Sequence, residues 1–261
     1  MSAPLTPLEE PPFVARVQEA LTRFSGVSQA LLASRALLQR VDRKYTLAAS
    51  DVEPVLASLS GAYGVLHAGS AVAARYRTVY FDTEDLRLYH AHRQGRAERY
   101  KVRVRHHLDR EMSFVEVKHR NALGRSIKFV LPRPFGVSLL DDEAQRFVER
   151  HCPIAARELT ARLWVTFRRI TLVGYELDER LTIDCSLEYG NGLKSERWPA
   201  AAIAEVKQGR RANHTPSIQA LRGARVFERA ISKYCVATTR LSGARGNSFK
   251  PALRALEQAS K

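Results

Sequence analysis

The residues with the most chemical potential lie in Glu98-Arg99-Tyr100-Lys101-Val102-Arg103-Val104-Arg105. Successive side chains of a strand point to opposite faces, so Arg99, Lys101, Arg103 and Arg105 share one face while Tyr100, Val102 and Val104 take the other. Like charges in a row repel, and such a row is tolerable in open solvent or around a bound polyanion. Taken alone, this strand fits either. Other segments repeat the theme. Phe114-Val115-Glu116-Val117-Lys118 sets Glu116 and Lys118 on one face, and Ala204-Glu205-Val206-Lys207 carries the same Glu-x-Lys pattern. Arg40-x-Asp42-x-Lys44 and Arg180-x-Thr182-x-Asp184 hold charged or polar groups at every second position. Several strands thus present a face of mixed charge opposite a face of Val, Ile, Leu and Tyr. With helices packed on the apolar face, the charged face is left to line a polar, water-filled lumen.

The elements that must position these residues follow from the same periodicity. From Arg75 to about Val130 it is two, which predicts strands at Arg75–Asp82, Leu86–Arg93, Glu98–His106, Ser113–Arg120 and Ser126–Leu131. Asn121-Ala122-Leu123-Gly124 closes the last pair as a hairpin. A strand at Arg40–Leu47 precedes them, and Asp51 is expected to cap a short helix carrying Val55, Leu56 and Leu59. Residues 141–162 read as helix. Alternation resumes at Leu163–Val173, Arg180–Leu187 and Ala201–Gln208, with Gly190-Asn191-Gly192 as a turn. Thr215-Pro216 opens a helix expected to bear Ile218, Leu221, Phe227 and Ile231. About eight antiparallel strands with inserted helices give an α+β protein, a β-barrel tunnel or strongly curved sheet with helices packed outside. Residues 1–39 read as a helical lead-in with apolar positions at Phe13, Val17, Leu21, Phe24, Leu31, Leu32 and Leu37. Residues 40–240 form the tunnel domain, and 241–261 a basic tail expected to be ordered only in part.

Composition narrows the partner. The 261 residues include 42 Lys and Arg against 27 Asp and Glu, a net charge of +15. Residues 1–39 hold three basic and three acidic side chains, so the excess lies downstream. A surplus of that size raises the local concentration of anions and speeds their capture. No stretch approaches the ~20 apolar residues of a membrane span. Met1-Ser2-Ala3-Pro4 does not begin a secretory leader, and Cys152, Cys185 and Cys235 suit neither a disulfide framework nor paired metal-ligand spacing. A cytoplasmic protein with reduced thiols is the expectation. Nucleic acid is a disfavoured partner, because the basic residues alternate with Val rather than with aromatics that could stack on bases.

Five segments occur in order: Tyr80-Phe81-Asp82-Thr83, Tyr100–Arg105, Val115-Glu116-Val117-Lys118, Ile203–Lys207 and Ser232-Lys233-Tyr234. Together they resemble the VTC domain, the catalytic module of vacuolar transporter chaperone polyphosphate polymerases, within the triphosphate tunnel superfamily that also holds CYTH-type triphosphatases. The resemblance runs from about Arg40 to Arg240. It implies that Lys44 is the first-strand tunnel lysine and that Arg103 and Arg105 bind the phosphates nearest the reaction, with Lys101 beside them. It further implies that Lys118, Lys128, Lys207 and Lys233 contact phosphate and that Arg169 is the arginine of the aromatic-x-Arg pattern, with Arg168 as second choice. Glu205 is similar to the family's metal-binding glutamate, and Asp184 and Glu116 are candidates to assist it. Arg40-x-Asp42-x-Lys44 departs from the Glu-x-Glu-x-Lys of CYTH proteins and suits the VTC type. Phe167 departs in turn, where related polymerases often carry tyrosine.

The activity this implies is transfer of the γ-phosphate of ATP to a polyphosphate chain, with Mn²⁺ or Mg²⁺ as cofactor and ATP and polyphosphate or tripolyphosphate as partners. The alternatives are a triphosphatase of the same fold and a polyphosphate-binding protein without catalysis. His106, His107 and His119 are expected at solvent or phosphate-rim positions, Trp164 and Trp198 in packing, and Asp82 in a structural turn with Thr83.

Overall fold

A computed structural model describes residues 12–34 and 41–259. Among them, eight strands run in the order β1 (Val41–Ala48), β10 (Ala201–Gln208), β8 (Glu179–Gly190), β7 (Thr160–Gly174), β3 (Ala73–Asp82), β4 (Arg99–His107), β5 (Met112–Arg120) and β6 (Ser126–Arg133). Two short strands, β2 (Tyr63–Val65) and β9 (Ser195–Trp198), add to β7 and β8. The pairs are antiparallel throughout. No hydrogen-bonded pair joins β1 to β6 among the described residues, so the expected barrel is a curled sheet. The curl is deep enough that Lys118 Nζ on β5 comes within 3.9 Å of Asp42 Oδ2 on β1.

The alternation holds the charged face inward. On the convex side, α1 (Pro12–Leu21), α3 (Ala49–Ala57) and α6 (Pro216–Gly223) cover β1, β10, β8 and β7, while α2 (Gln29–Ser34) is short and without a buried residue. Val17, Leu21, Val52, Leu56, Ile218 and Leu221 share a core there with Leu47, Leu172, Ile183, Ala204 and Val206. Farther round, Leu88 of α4 (Arg87–Arg93) and Ala144 and Val148 of α5 (Asp142–His151) share a core with Val79, Val102, Val104, Val115 and Val117. Each buried Val or Leu contributes about 1.5–3 kcal/mol. A one-residue slip in any strand would turn this surface to water and the cations into the core. Two helices differ from the outside position expected of them. α7 (Lys233–Ser242) and α8 (Lys250–Ala259) set Tyr234, Leu241, Leu253 and Leu256 against Tyr80, Val165, Phe167 and Ile203 on the concave face. The stretch read as a partly ordered tail therefore folds into that core as far as Ala259. No described helix is long and apolar enough to cross a membrane.

Three readings change for local reasons. Leu86–Arg93 is helix, not strand, because the Asp82 carboxylate accepts hydrogen bonds from the N–H groups of Leu88 and Tyr89 at 2.9 Å, and Thr83 Oγ1 accepts from that of Arg87. The helix expected over 141–162 ends at His151, ahead of Pro153, and Thr160 already begins β7. Asp141 caps its start by accepting from the Ala144 N–H. α6 stops at Gly223, leaving Phe227 exposed and Ile231 in the concave core. Arg40, the expected start of the first strand, and Leu37 lie outside the described residues. The turns at Asn121 and Asn191 hold: each Asn Oδ1 accepts a backbone N–H, from Arg125 and from Leu193 and Lys194. The three cysteines are free and buried.

Asp82 carries the junction between β3 and two helices, since the Tyr234 hydroxyl of α7 also donates to it. Asp82→Ala should lower the free energy of unfolding by about 3 kcal/mol and Tyr234→Phe by about 1 kcal/mol, measured by urea denaturation.

Candidate functional site

The concave wall of β4, β5 and β6 is a ladder of cross-strand rungs. Lys101, Lys118 and Lys128 stand in one row; the next aligns Arg103, Glu116 and Val130; the next Arg105, Phe114 and Pro132; the last His107 and Met112. Side chains two residues apart share a face, so all four rungs border the lumen. The opposite wall places Lys44 beside Glu205, Glu205 beside Thr182, Asp42 beside Lys207, and Arg169 beside Asp184.

Each carboxylate is held by cations. Glu116 Oε2 accepts from Arg103 Nε at 2.6 Å and lies 2.5 Å from its Nη2, while Lys128 Nζ reaches Oε1 at 3.3 Å. Arg105 Nη1 stands 4.0 Å off. Asp184 accepts a two-pronged bond from Arg169, Nε at 2.6 Å and Nη2 at 2.7 Å, and a further one from Lys233. Glu205 pairs with Lys207 at 2.7 Å and Lys44 at 3.7 Å. Nine cations (Lys44, Lys101, Arg103, Arg105, Lys118, Lys128, Arg169, Lys207 and Lys233) thus meet four carboxylates (Asp42, Glu116, Asp184 and Glu205). The surplus needs an anion.

Proton affinities record the crowding. Burial, with Lys44 and Lys101 adding repulsion, pushes the Lys118 ammonium down to about 7. Burial also brings Lys101 to about 8, aided by Lys44 and Arg103. Lys207 and Lys233 are lowered too, burial outweighing the attraction of Glu205 and Asp184. Burial alone would raise the carboxyls of Glu116, Asp184 and Glu205. Arg103, Arg169 and Lys207, respectively, lead the cations that hold them well below the usual range.

Aromatic rings back the arginines. Tyr76 and Phe167 stack at 5.3 Å, and the guanidinium groups of Arg105 and Arg169 lie 5.2–5.9 Å from both ring centres. Lys233 Nζ lies 4.8 Å over Phe167. The Tyr80 hydroxyl accepts from Arg103 Nη1 at 3.5 Å.

The structure brings most of the expected site residues together and separates one. Arg168 is aligned with Arg75 and Cys185, one residue from Arg169 and so on the opposite face of β7, away from the lumen. His106 corrects the solvent or rim role expected of it: it is buried on the convex side, hydrogen-bonded to Ser113 and Ser138. His119 stacks on Tyr100 and bonds Glu98, and Trp198 packs in the concave core. His107 lies at the end of the lumen ladder, within the rim role expected of it, whereas sequence reasoning passed over Tyr76, Tyr80 and Phe114 as lumen residues. Phe114 stands four residues from Lys118, and that parity was the available signal; β3 carries no recognised site cation to mark Tyr76 and Tyr80.

Among the described residues no three His, Cys, Asp or Glu side chains converge on a metal position. Asp184 and Glu116 have both oxygens engaged by guanidinium and ammonium groups, so the geometry gives them to the arginines rather than to a metal. The ion pairs of Glu205 among the described residues are with flexible lysines, Lys207 and Lys44. This donor set fits a divalent ion held by one carboxylate together with phosphate oxygens, the mode Mg²⁺ favours, and does not build an all-protein cage.

Fold and site together define a curled-sheet lumen built for a polyanion. The chain belongs to the VTC domain family, whose model matches residues 39–242. No curated protein matches it significantly in sequence. Among solved structures it is similar to a proposed adenylate cyclase from Bacillus halodurans (14% identity, 74% of this chain and 94% of that one, TM-score 0.47). It is also similar to a proposed adenylyl cyclase from Hippeastrum with a dominant triphosphatase activity (12% identity, 78% and 97%, TM-score 0.48).

The lowered lysines carry a measurable sign. A bound polyanion favours the charged forms of Lys101 and Lys118, so binding should draw protons from solution between about pH 7 and 8.5, where the free groups are partly neutral. Tripolyphosphate affinity should fall as pH rises through this window. Calorimetry in buffers of different ionisation enthalpy should register net uptake at pH 8, and release would contradict the assignment.

Proposed function

We propose that this chain is a metal-dependent polyphosphate polymerase that moves the γ-phosphate of ATP onto the end of a polyphosphate chain held in the lumen. The observation that carries this reading is the pairing of a large cation surplus with carboxylates already committed to those cations. On the first strand the one described lumen carboxylate, Asp42, stands against Lys118 at 3.9 Å. A lumen so rich in cations and poor in free acids suits a long chain of phosphates.

In this mechanism Arg103, Arg105 and Arg169 grip the phosphates nearest the reaction, their planar forks matched to the phosphate oxygens. Glu116 and Asp184 fix those forks before substrate arrives, so little reorganisation is needed as charge moves to the equatorial oxygens. Lys44, Lys101, Lys118, Lys128 and Lys207 hold the acceptor chain in line, and Lys233 adds charge beside Arg169. Glu205 would hold Mn²⁺ or Mg²⁺, which would supply neutralisation of phosphate charge during the transfer. No side chain acts as a nucleophile; the attacking oxygen belongs to the acceptor. With water in its place the same groups would hydrolyse the triphosphate.

The purified protein is incubated with ATP and Mn²⁺ or Mg²⁺, with and without a short polyphosphate primer, and the products are resolved on a gel. Long chains are expected; free phosphate alone would make it a triphosphatase, and tight tripolyphosphate binding without turnover a scaffold. Glu205→Gln should lower metal-dependent turnover by about 100-fold or more while leaving most tripolyphosphate binding. Arg103→Ala, Arg105→Ala and Lys44→Ala should each weaken that binding, the arginines by about tenfold or more. Unchanged affinity in all three would remove the phosphate lumen.

A further inference from the structure

The ladder across β4, β5 and β6 is graded. From Arg99 and Arg120 it passes through a rung of three lysines, then Arg103 with Glu116, then Arg105 with Phe114, and ends at His107 with Met112. Charge fades along the wall and rings replace it. His107 lies 4.6 Å from Tyr76, tilted, and 5.3 Å from Phe114, edge to face. Tyr76, His107 and Phe114 are half-buried, and Met112 is 45% exposed. Burial and the nearby Arg105 bring the His107 imidazole down to about 4, so it is a neutral ring at pH 7. A bare phosphate chain gains nothing from such a rung. An open apolar and aromatic rim on an otherwise charged lumen marks a ligand of mixed character.

We infer that the His107–Met112 end of the lumen is a platform for a nucleobase. A nucleoside triphosphate lies with its base against His107 and Phe114 and its phosphates on Arg105, Arg103 and Arg169. The inference rests on the reading of the lumen as a phosphate site and gives that lumen a direction. The donor nucleotide occupies the aromatic end, and the growing chain occupies the lysine end. Spacing agrees, because two residues of strand separate Arg105 from His107 by about 7 Å, a span that a ribose can bridge. The guanidinium of Arg105 already lies over the Tyr76 ring at 5.7 Å, so the first phosphate and the first ring are adjacent. Bases stack on aromatic side chains whatever their sequence, because each has a π-face to offer.

The test compares two ligands that share the phosphates and differ in the base. Affinities of the full chain for ATP and for tripolyphosphate are measured by calorimetry in EDTA, for the wild type and for His107→Ala, Phe114→Ala and Met112→Ala. Phe114→Ala and His107→Ala should each weaken ATP by about fivefold or more, the lower end of what stacking one base supports. Tripolyphosphate should stay within about twofold, which also shows that each variant is folded. His107→Phe should restore ATP binding. With 2-aminopurine riboside triphosphate, the wild type should quench the base fluorescence and Phe114→Ala should relieve it. Equal losses for both ligands, or no loss for either, would overturn the platform. Failure of the wild type to bind tripolyphosphate would instead bring down the phosphate lumen on which the platform rests.

Discussion

Repulsion among confined cations is the constraint on which this molecule turns. Two unit charges held at the ~5 Å spacing of a cross-strand pair repel by about 3 kcal/mol at an effective dielectric near 20. Lys101, Lys118 and Lys128 occupy one such row, and the opposite wall brings Lys44 toward them. The fold meets the repulsion in two ways. Carboxylates are placed where cations are densest, and the lysines left over lower their affinity for protons. Both devices are visible at Lys118, which faces Asp42 and is brought to about 7. Neither is complete, and the unbalanced remainder is what a polyanion would satisfy.

The hydrophobic architecture exists on both faces to hold that arrangement. Valines and leucines on alternate positions anchor the convex helices, and the same alternation turns every second side chain into the lumen. The concave face is divided. α7 and α8 fill part of it with an apolar core, leaving the polar section bounded by Lys233 at the start of α7. Lys233 therefore joins the two sections, its ammonium lying over the Phe167 ring and reaching Asp184. The Asp82 junction, which binds α4 and α7 to the end of β3, keeps this helix in place.

Much of this was legible in sequence because a period of two is a local signal that survives into the fold. Strands β1, β3 to β8 and β10 fall close to the expected runs, and the faces of Lys44, Lys101, Arg103, Arg105, Lys118, Lys128, Asp184, Glu205 and Lys207 follow from parity. The failures share a different cause. Leu86–Arg93 alternates like a strand but is captured as a helix by side-chain caps from Asp82 and Thr83, groups outside the run itself. Arg168 and Arg169 are adjacent, so parity alone could not choose between them; the resemblance put Arg169 first, and the register of β7 against β8, interrupted between Thr166 and Arg168, sets Arg169 beside Asp184. α8 looked like a basic tail because its apolar stripe, Ala252, Leu253 and Leu256, is narrow and its partners lie far away in the chain.

The carboxylates changed meaning for a reason that composition could not supply. In sequence, the resemblance sets Glu205 apart as the metal ligand, with Asp184 and Glu116 to assist it, but residue type alone supplies no physical reason for the ranking. In space they differ by what holds them. A guanidinium fork fixes an acid in one plane and takes its lone pairs, whereas an ammonium on a four-carbon stem can swing away. Glu116 is bound by the fork of Arg103, and Asp184 by that of Arg169, so these two acids aim arginines. Among the described residues Glu205 pairs with Lys207 and Lys44, which can exchange it for a phosphate without leaving a buried guanidinium unpaired. The division of labour among three like residues is thus decided by the stiffness of their partners, and that same stiffness keeps the arginine forks oriented before any substrate enters.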